Sequence, residues 1–403
     1  MAVGEANLDF NVVPGVRLAA TAAGIKDHEK SVSDLVLFEF AEGSATAGVF
    51  TKSLFAAAPV VLGKKHLEAA ASRYFLVNSG NANAATGDLG IEDALTCCKA
   101  TSQITGTLPE ETIPFSTGVI GERLPVEKIT SSIAELTVGL DESNWLQAAE
   151  GIMTTDTRPK VATRCFNVGE ETLTITGIAK GAGMIEPNMA TMLAYVATDA
   201  RCEQKLLKEI LVQTLDTSFN RITVDSDTST NDSCMLTATG MSGVDLADEC
   251  AREIFYPELA SVMKELAQGI IRDAEGATKF VTVTVERAPS NDVSLEIAYA
   301  IANSPLMKTA IFAGDANWGR IVMAIGKANV DIDVNKIDVY LGEVCLMSRG
   351  GKAPDYTEEL GAEVMSKDEI LIRVDLNAGD SSETLWTSDL SHEYVRINAE
   401  YRT

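Results

Sequence analysis

Six consecutive apolar residues, Met192-Leu-Ala-Tyr-Val-Ala197, constrain this chain more than any other stretch. Such a run suits a strand buried on both faces, which needs layers of structure above and below it. Helical and strand periodicities interleave on either side. Leu259, Val262, Met263, Leu266 and Ile270 share one helical face behind Pro257, which reads as a proline near a first turn. Leu206, Leu207, Ile210, Leu211 and Leu215 mark a second helix. Strict alternation in Thr172–Thr176, Val281–Val285 and Ile370–Leu376 marks strands. The expected class is mixed α and β with a layered core. No Gly/Ser/Pro linker marks a boundary, and a smaller lobe is expected from about residue 305.

A chain of 403 residues buries a large core without disulfides or metals. Its 33 basic and 58 acidic residues give a net charge of −25, which repels nucleic-acid phosphates and anionic membranes. An anionic substrate therefore needs a local cationic pocket working against the overall field. No apolar run approaches the ~18 residues of a membrane-spanning helix. Met1–Asp9 lacks a basic-then-apolar pattern, so no secretory signal is expected and the location expected is cytoplasmic. Seven cysteines without a CxxC pair read as reduced thiols. Only three histidines occur, His28 in a charged loop, His66 at what reads as a helix start, and His392. None has metal-site spacing, and no metal is expected.

Segments rich in small polar residues punctuate the apolar pattern. They include Asn78–Ala84, Ser116–Gly121, Lys180–Met192, Asp225–Ser233, Asp273–Lys279 and Asp315–Arg320. Such residues at strand ends build sites, because short hydroxyls and backbone N–H groups converge there. Each alone is equally explained as turn chemistry. The segment from Lys180 to Met192 differs in kind. Gly181 and Gly183 permit unusual backbone geometry, Pro187 stiffens the approach, and small Ala190 precedes Thr191, which opens the apolar run. Thr191 is either a strand-starting residue or the threonine that N-terminal-nucleophile chemistry requires. In the second case its hydroxyl attacks the Ala190 carbonyl and forms an ester as the peptide C–N bond breaks. Water then hydrolyses the ester, and Thr191 is left with a free hydroxyl and a free α-amine. That amine, of reference pKa roughly 7.7–8.0, is then a general base for its own hydroxyl.

Through these residues the sequence resembles the ornithine acetyltransferases (glutamate N-acetyltransferases) of the cyclic arginine pathway. The resemblance runs from Ala57-Ala-Pro-Val60 and Asn78-Ser-Gly-Asn-Ala-Asn83 to Ile397-Asn-Ala-Glu-Tyr-Arg-Thr403. It is most specific through Lys180–Leu193, Asp225–Asp232 and Ala302-Asn-Ser-Pro305. It implies cleavage between Ala190 and Thr191 into an alpha fragment, 1–190, and a beta fragment, 191–403. It also implies an αββα sandwich similar to the N-terminal-nucleophile hydrolases with different connectivity, and a heterotetramer of two fragments of each kind.

Carried over by residue, the resemblance makes Thr191 the nucleophile and the Thr117 hydroxyl and Gly118 N–H the oxyanion hole. Thr154, Lys180, Thr191, Glu275, Asn398 and Thr403 fall at substrate-binding positions. The substrates implied are N-acetylornithine and glutamate, with acetyl-CoA a further donor in some members and no bound cofactor. Lys180, Asn398 and Thr403 suit the α-carboxylate and Glu275 the ornithine ammonium; the bland alternative is a Lys180 that satisfies loop carbonyls. Glu186, Ala274 and Ala316 stand where many relatives have His, Gly and Pro. Two rivals are set beside this reading. One is an N-terminal-nucleophile amidohydrolase or aminopeptidase on the same scaffold, the other a non-catalytic anion-binding protein.

Overall fold

Leu193–Thr198 forms a strand whose six residues are all buried, as the apolar run requires. The computed structural model describes residues 2–26, 32–186 and 192–401. The chain divides into two units. The larger holds Ala6–Asn220 and Thr228–Ile270; the smaller holds the N-terminal residues to Glu5, Arg221–Asp227 and Ile271–Tyr401.

The first ten strands are β1 (Val16–Thr21), β2 (Leu35–Phe40), β3 (Ala45–Phe50), β4 (Tyr74–Asn78), β5 (Thr112–Ser116), β6 (Lys160–Val168), β7 (Glu171–Lys180), β8 (Leu193–Thr198), β9 (Ile222–Thr223) and β10 (Ser233–Ala238). All but β9 lie in the larger unit, as sheets ordered β1-β2-β4-β5 and β3-β10-β8-β7-β6. Strand β8 is central, parallel to β10 and antiparallel to β7. Its inner face, Leu193, Tyr195 and Ala197, meets Phe38, Phe75 and Phe115 of the facing sheet. The Tyr195 ring centroid lies 4.9 Å from Phe38 and 5.1 Å from Phe115. These aromatic contacts join the two sheets into one interior.

Helices α1 (Ala58–Ala69), α2 (Gly87–Thr105), α3 (Val126–Val138), α4 (Trp145–Gly151), α5 (Gln204–Leu215) and α6 (Glu249–Arg272) follow in chain order. Ile129, Ile133 and Leu136 of α3, with Cys97 of α2, pack on Leu35, Leu37 and Leu76 of the first sheet. Helix α5 packs on β3 and β10 of the second sheet. Leu266 of α6 comes over Gly177 of β7. The order helix, sheet, sheet, helix is the αββα sandwich expected.

The smaller unit adds β11 (Phe280–Ala288), β12 (Asp338–Leu341), β13 (Val344–Ser348), β14 (Gly351–Lys352), β15 (Glu369–Asp375) and β16 (Ser381–Ser388). With β9 they form one mixed sheet, β14-β13-β12-β15-β11-β16-β9. Its helices are α7 (Asn291–Ala302), α8 (Pro305–Phe312), α9 (Trp318–Lys327), α10 (Glu358–Met365) and α11 (His392–Glu400). Alternate residues Val281, Val283 and Val285 and Ile370, Ile372 and Val374 share a core with Ile297, Ile301, Ile321 and Ile325.

Three sequence expectations need correction. The main segment of the smaller unit opens at Ile271 rather than near 305, because β11 and α7 belong to its sheet and core. Pro257 lies inside α6, not at its first turn. The buried stripe extends back through Ala251 and Phe255, so packing carries the helix past a residue that removes one backbone bond. His66 lies in the last turn of α1, which starts at Ala58 with Pro59 in its first turn; the ring is buried with Nδ1 2.7 Å from the Thr112 carbonyl. His28 lies outside the described residues. Among the described residues no helix is long and apolar enough to cross a membrane.

Candidate active site

The parallel strands β4 and β5 end side by side at Asn78 and Ser116, where the chain enters two of the small-polar segments. Asn78 Nδ2 donates to Ser116 Oγ at 2.6 Å, its Oδ1 accepts from Asn81 N at 3.1 Å, and its carbonyl accepts from Thr117 N at 2.9 Å. Asn231, just ahead of β10, fastens the same loops, its Nδ2 donating to Ala82 O at 2.6 Å and Ser116 O at 2.8 Å. Gly118 has φ +127°, and a Cβ there would lie 2.5 Å from the Gly80 carbonyl carbon. Only glycine fits this close backbone approach. Among the described residues, neither the Thr117 hydroxyl nor the Gly118 N–H has a hydrogen-bond partner. Two donors fixed by the surrounding loops and without a partner among the described residues are what oxyanion stabilisation requires.

The loop after α4 and the end of β7 supply the next pair, Thr154 and Lys180. Lys180, the last residue of β7, donates from Nζ to Thr154 Oγ1 at 3.3 Å. Beneath them Asp156 is enclosed, its side chain 0% exposed and that of its partner Lys160 3%. Its Oδ1 accepts from Lys160 Nζ at 2.5 Å and Gly181 N at 2.8 Å, and its Oδ2 from Thr154 N at 3.0 Å. Burial alone would push this carboxyl up. The charges of Lys160 and Lys180, with bonds from Lys160 and the Thr154 N–H, instead hold it well below the usual carboxylate range. Lys26 joins the group, its Nζ 2.8 Å from Met153 O. Lys26, Lys160 and Lys180 thus act on one aspartate, a cationic locality inside a chain of net charge −25.

Asp232 behaves oppositely. It is buried one residue ahead of β10, and its Oδ2 has no hydrogen-bond partner among the described residues. Burial pushes its pKa well above the ordinary carboxylate value, against the charge of Lys180 and polar contacts from Ser229.

In the smaller unit, Glu275 is buried and its Oε2 accepts from Asn398 Nδ2 at 2.6 Å. Asn398 lies on α11, whose cap Ser391 donates from Oγ to Gly276 O at 2.7 Å and accepts from Glu393 N and Tyr394 N. Tyr394 OH donates to Asp225 Oδ2 at 3.0 Å.

The structure therefore pairs Thr154 with Lys180 and Glu275 with Asn398, and places Thr117 and Gly118 on one fastened loop. Ala190, Thr191 and Thr403 lie outside the described residues. Sequence reasoning missed Lys26, Asp156 and Lys160. Asp156 and Lys160 are spaced i, i+4 and could have been noticed as an opposite-charge pair, whereas Lys26 carries no local signal. Asp232 and Asn231 fell in a segment already singled out. All seven cysteines are free thiols, and no metal-binding cluster occurs among the described residues.

Comparison with known proteins matches the chain to a family. The ArgJ family matches residues 17–403. The arginine biosynthesis bifunctional protein ArgJ of Pseudomonas syringae pv. tomato is 52% identical over 409 residues, covering 100% of both chains. The protein of the same name from Psychrobacter arcticus is 49% identical over 409 residues, again covering 100% of both. A crystal structure of the arginine biosynthesis bifunctional protein argJ from Bacillus halodurans is 36% identical over 50% of this chain and 96% of that one, with a TM-score of 0.49. On the family match and these full-length relatives, the chain belongs to the ArgJ family.

Proposed function

We propose that this chain is an N-acetyltransferase of arginine biosynthesis, moving the acetyl group of N-acetylornithine to glutamate through an acetyl ester on Thr191. The carrying observation is the pair of donors at Thr117 and Gly118, without a partner among the described residues and on a loop fastened by Asn78 and Asn231. The reaction begins with self-cleavage. The Thr191 hydroxyl attacks the Ala190 carbonyl, and the peptide C–N bond breaks as its nitrogen takes up a proton and becomes the free α-amine. Water then opens the ester to the Ala190 carboxylate and the Thr191 hydroxyl.

Transfer then repeats the same attack on the substrate. The Thr191 oxygen adds to the acetyl carbonyl as its proton passes to the α-amine, and the oxyanion meets Thr117 and Gly118. The C–N bond breaks as the α-ammonium returns that proton to the departing ornithine amine. The glutamate amine next attacks the ester, its C–O bond breaks, and the threonine hydroxyl is restored with N-acetylglutamate as product. Lys180, with Thr154 beside it, holds the α-carboxylate together with Asn398 and Thr403, and Glu275 pairs with the ornithine ammonium. A second activity with acetyl-CoA as donor accords with the relatives' name, which says bifunctional. Two copies of each fragment assemble, and the enzyme works in the cytoplasm.

Intact mass spectrometry of purified protein with N-acetylornithine tests this reading. Fragments 1–190 and 191–403 are expected, the second gaining one acetyl group on substrate addition, and Thr191→Ala stays whole. Labelled acetyl is expected on glutamate. Release as free acetate alone would hand the case to a hydrolase, and an intact wild-type chain to a binding protein.

A further inference from the structure

We propose that Lys26 binds the side-chain carboxylate of the acceptor amino acid and so sets the preference for glutamate over uncharged acceptors. The inference rests on the acetyl-transfer reading, in which donor and acceptor differ in charge. N-acetylornithine carries one carboxylate and glutamate two. Lys180, paired with Thr154, serves the α-carboxylate common to both. The second carboxylate then needs a cation of its own.

Lys26 is built into the oxyanion-hole neighbourhood. The buried Asp34 carboxylate accepts from Ala23 N at 2.7 Å, Ile25 N at 2.5 Å and Lys26 N at 2.9 Å, which fixes this backbone. The fixed segment lies against Gly80, where a Cβ would come 2.6 Å from Ile25 Cγ2 and 2.9 Å from Lys26 N. Gly80 in turn touches Gly118. The Lys26 ammonium is anchored on Met153 O, the Lys180 ammonium on Thr154 Oγ1. These are consecutive residues, whose Cα atoms are about 3.8 Å apart. Two cations anchored on neighbouring residues, each within reach of the other's charge, suit a dicarboxylate.

Lys26 is also the lysine of the group with capacity to spare. Its ammonium makes one hydrogen bond among the described residues, leaving two N–H groups, and the residue is half-buried. Lys160 is committed to Asp156 and Arg158 O and is enclosed. Burial lowers the Lys26 pKa, while Asp34 and Asp156 hold it up and Lys180 lowers it further. A bound carboxylate would favour the charged form.

The test separates the two half-reactions in Lys26→Met and Lys26→Arg. For Lys26→Met the glutamate KM should rise on the order of 10- to 100-fold, the loss of one charge-assisted contact. Acetylation of the 191–403 fragment by N-acetylornithine should stay within about twofold of wild type. The ratio of glutamate to glutamine use should collapse in Lys26→Met and persist in Lys26→Arg. An unchanged ratio in Lys26→Met overturns the proposal, and so does loss of the first half-reaction, since Lys26 would then serve the donor. A wild-type protein that never takes the acetyl group instead breaks the underlying transferase reading.

Discussion

Asp156 and Asp232 are both buried in the larger unit and both feel the charge of Lys180, yet they titrate in opposite directions. Asp156 receives two backbone N–H groups and a buried ammonium. Asp232 keeps one oxygen without a partner among the described residues. Burial is common to both, so it does not decide which is ionised. What decides is whether the fold supplies donors and cations to replace lost water. Asp156 ties together Thr154, Lys180 and Gly181, which belong to segments remote in sequence, and so holds the Thr154–Lys180 pair in place.

The largest effect expected is from Asp156→Asn, which leaves Lys160 buried without its counter-charge. Chemical denaturation should show a loss of about 3–5 kcal/mol. The double variant Asp156→Asn with Lys160→Met should recover part of that loss, because the stranded charge is gone as well; a strictly additive double variant would refute the pairing. Asp232→Asn should be far milder. At pH 7 it should leave stability within about 1 kcal/mol or raise it by up to about 3, since no bond is broken and an ionisable group is removed from the interior. If it costs as much as Asp156→Asn, the bare oxygen has a partner under working conditions and the contrast fails.

The smallest effect is the sharpest in sign. The Asp156 pKa is depressed by folding, so its stabilisation is complete above the ordinary value of 3.8 and is lost as pH falls through the depressed folded value. The Asp232 pKa is raised, so its penalty is absent below 3.8 and grows as pH rises towards the raised folded value. Denaturation across pH should therefore show the cost of Asp156→Asn growing from acid to neutral pH, while wild type loses ground to Asp232→Asn over the same range. Parallel trends for the two variants would contradict the assignment.

Much of the fold was legible because burial writes itself into local pattern. Residues 193–198 read as a two-faced buried strand, and the alternation at 281–285 and 370–376 read as strands with one face inward. The segments at Asn78 and Ser116 stood out because strand ends that expose backbone donors favour small polar residues. Pro257 misled because proline chemistry was read locally, whereas packing of Ala251 and Phe255 keeps the helix going through it.

The sequence by itself determined the layered class, the resemblance carried by Lys180–Leu193, and Thr117, Gly118, Thr154, Lys180, Glu275 and Asn398 as candidates. Tertiary structure alone decided that Lys26 meets Met153 across 127 positions, that Gly181 gives its N–H to a carboxylate 25 residues away, and that both Asp156 oxygens meet protein donors while one Asp232 oxygen meets none among the described residues. Hydrophobic periodicity is a short-range property that each segment carries with it. Electrostatic partnership depends on inverse distance and on the loss of water, and neither exists until distant segments have packed.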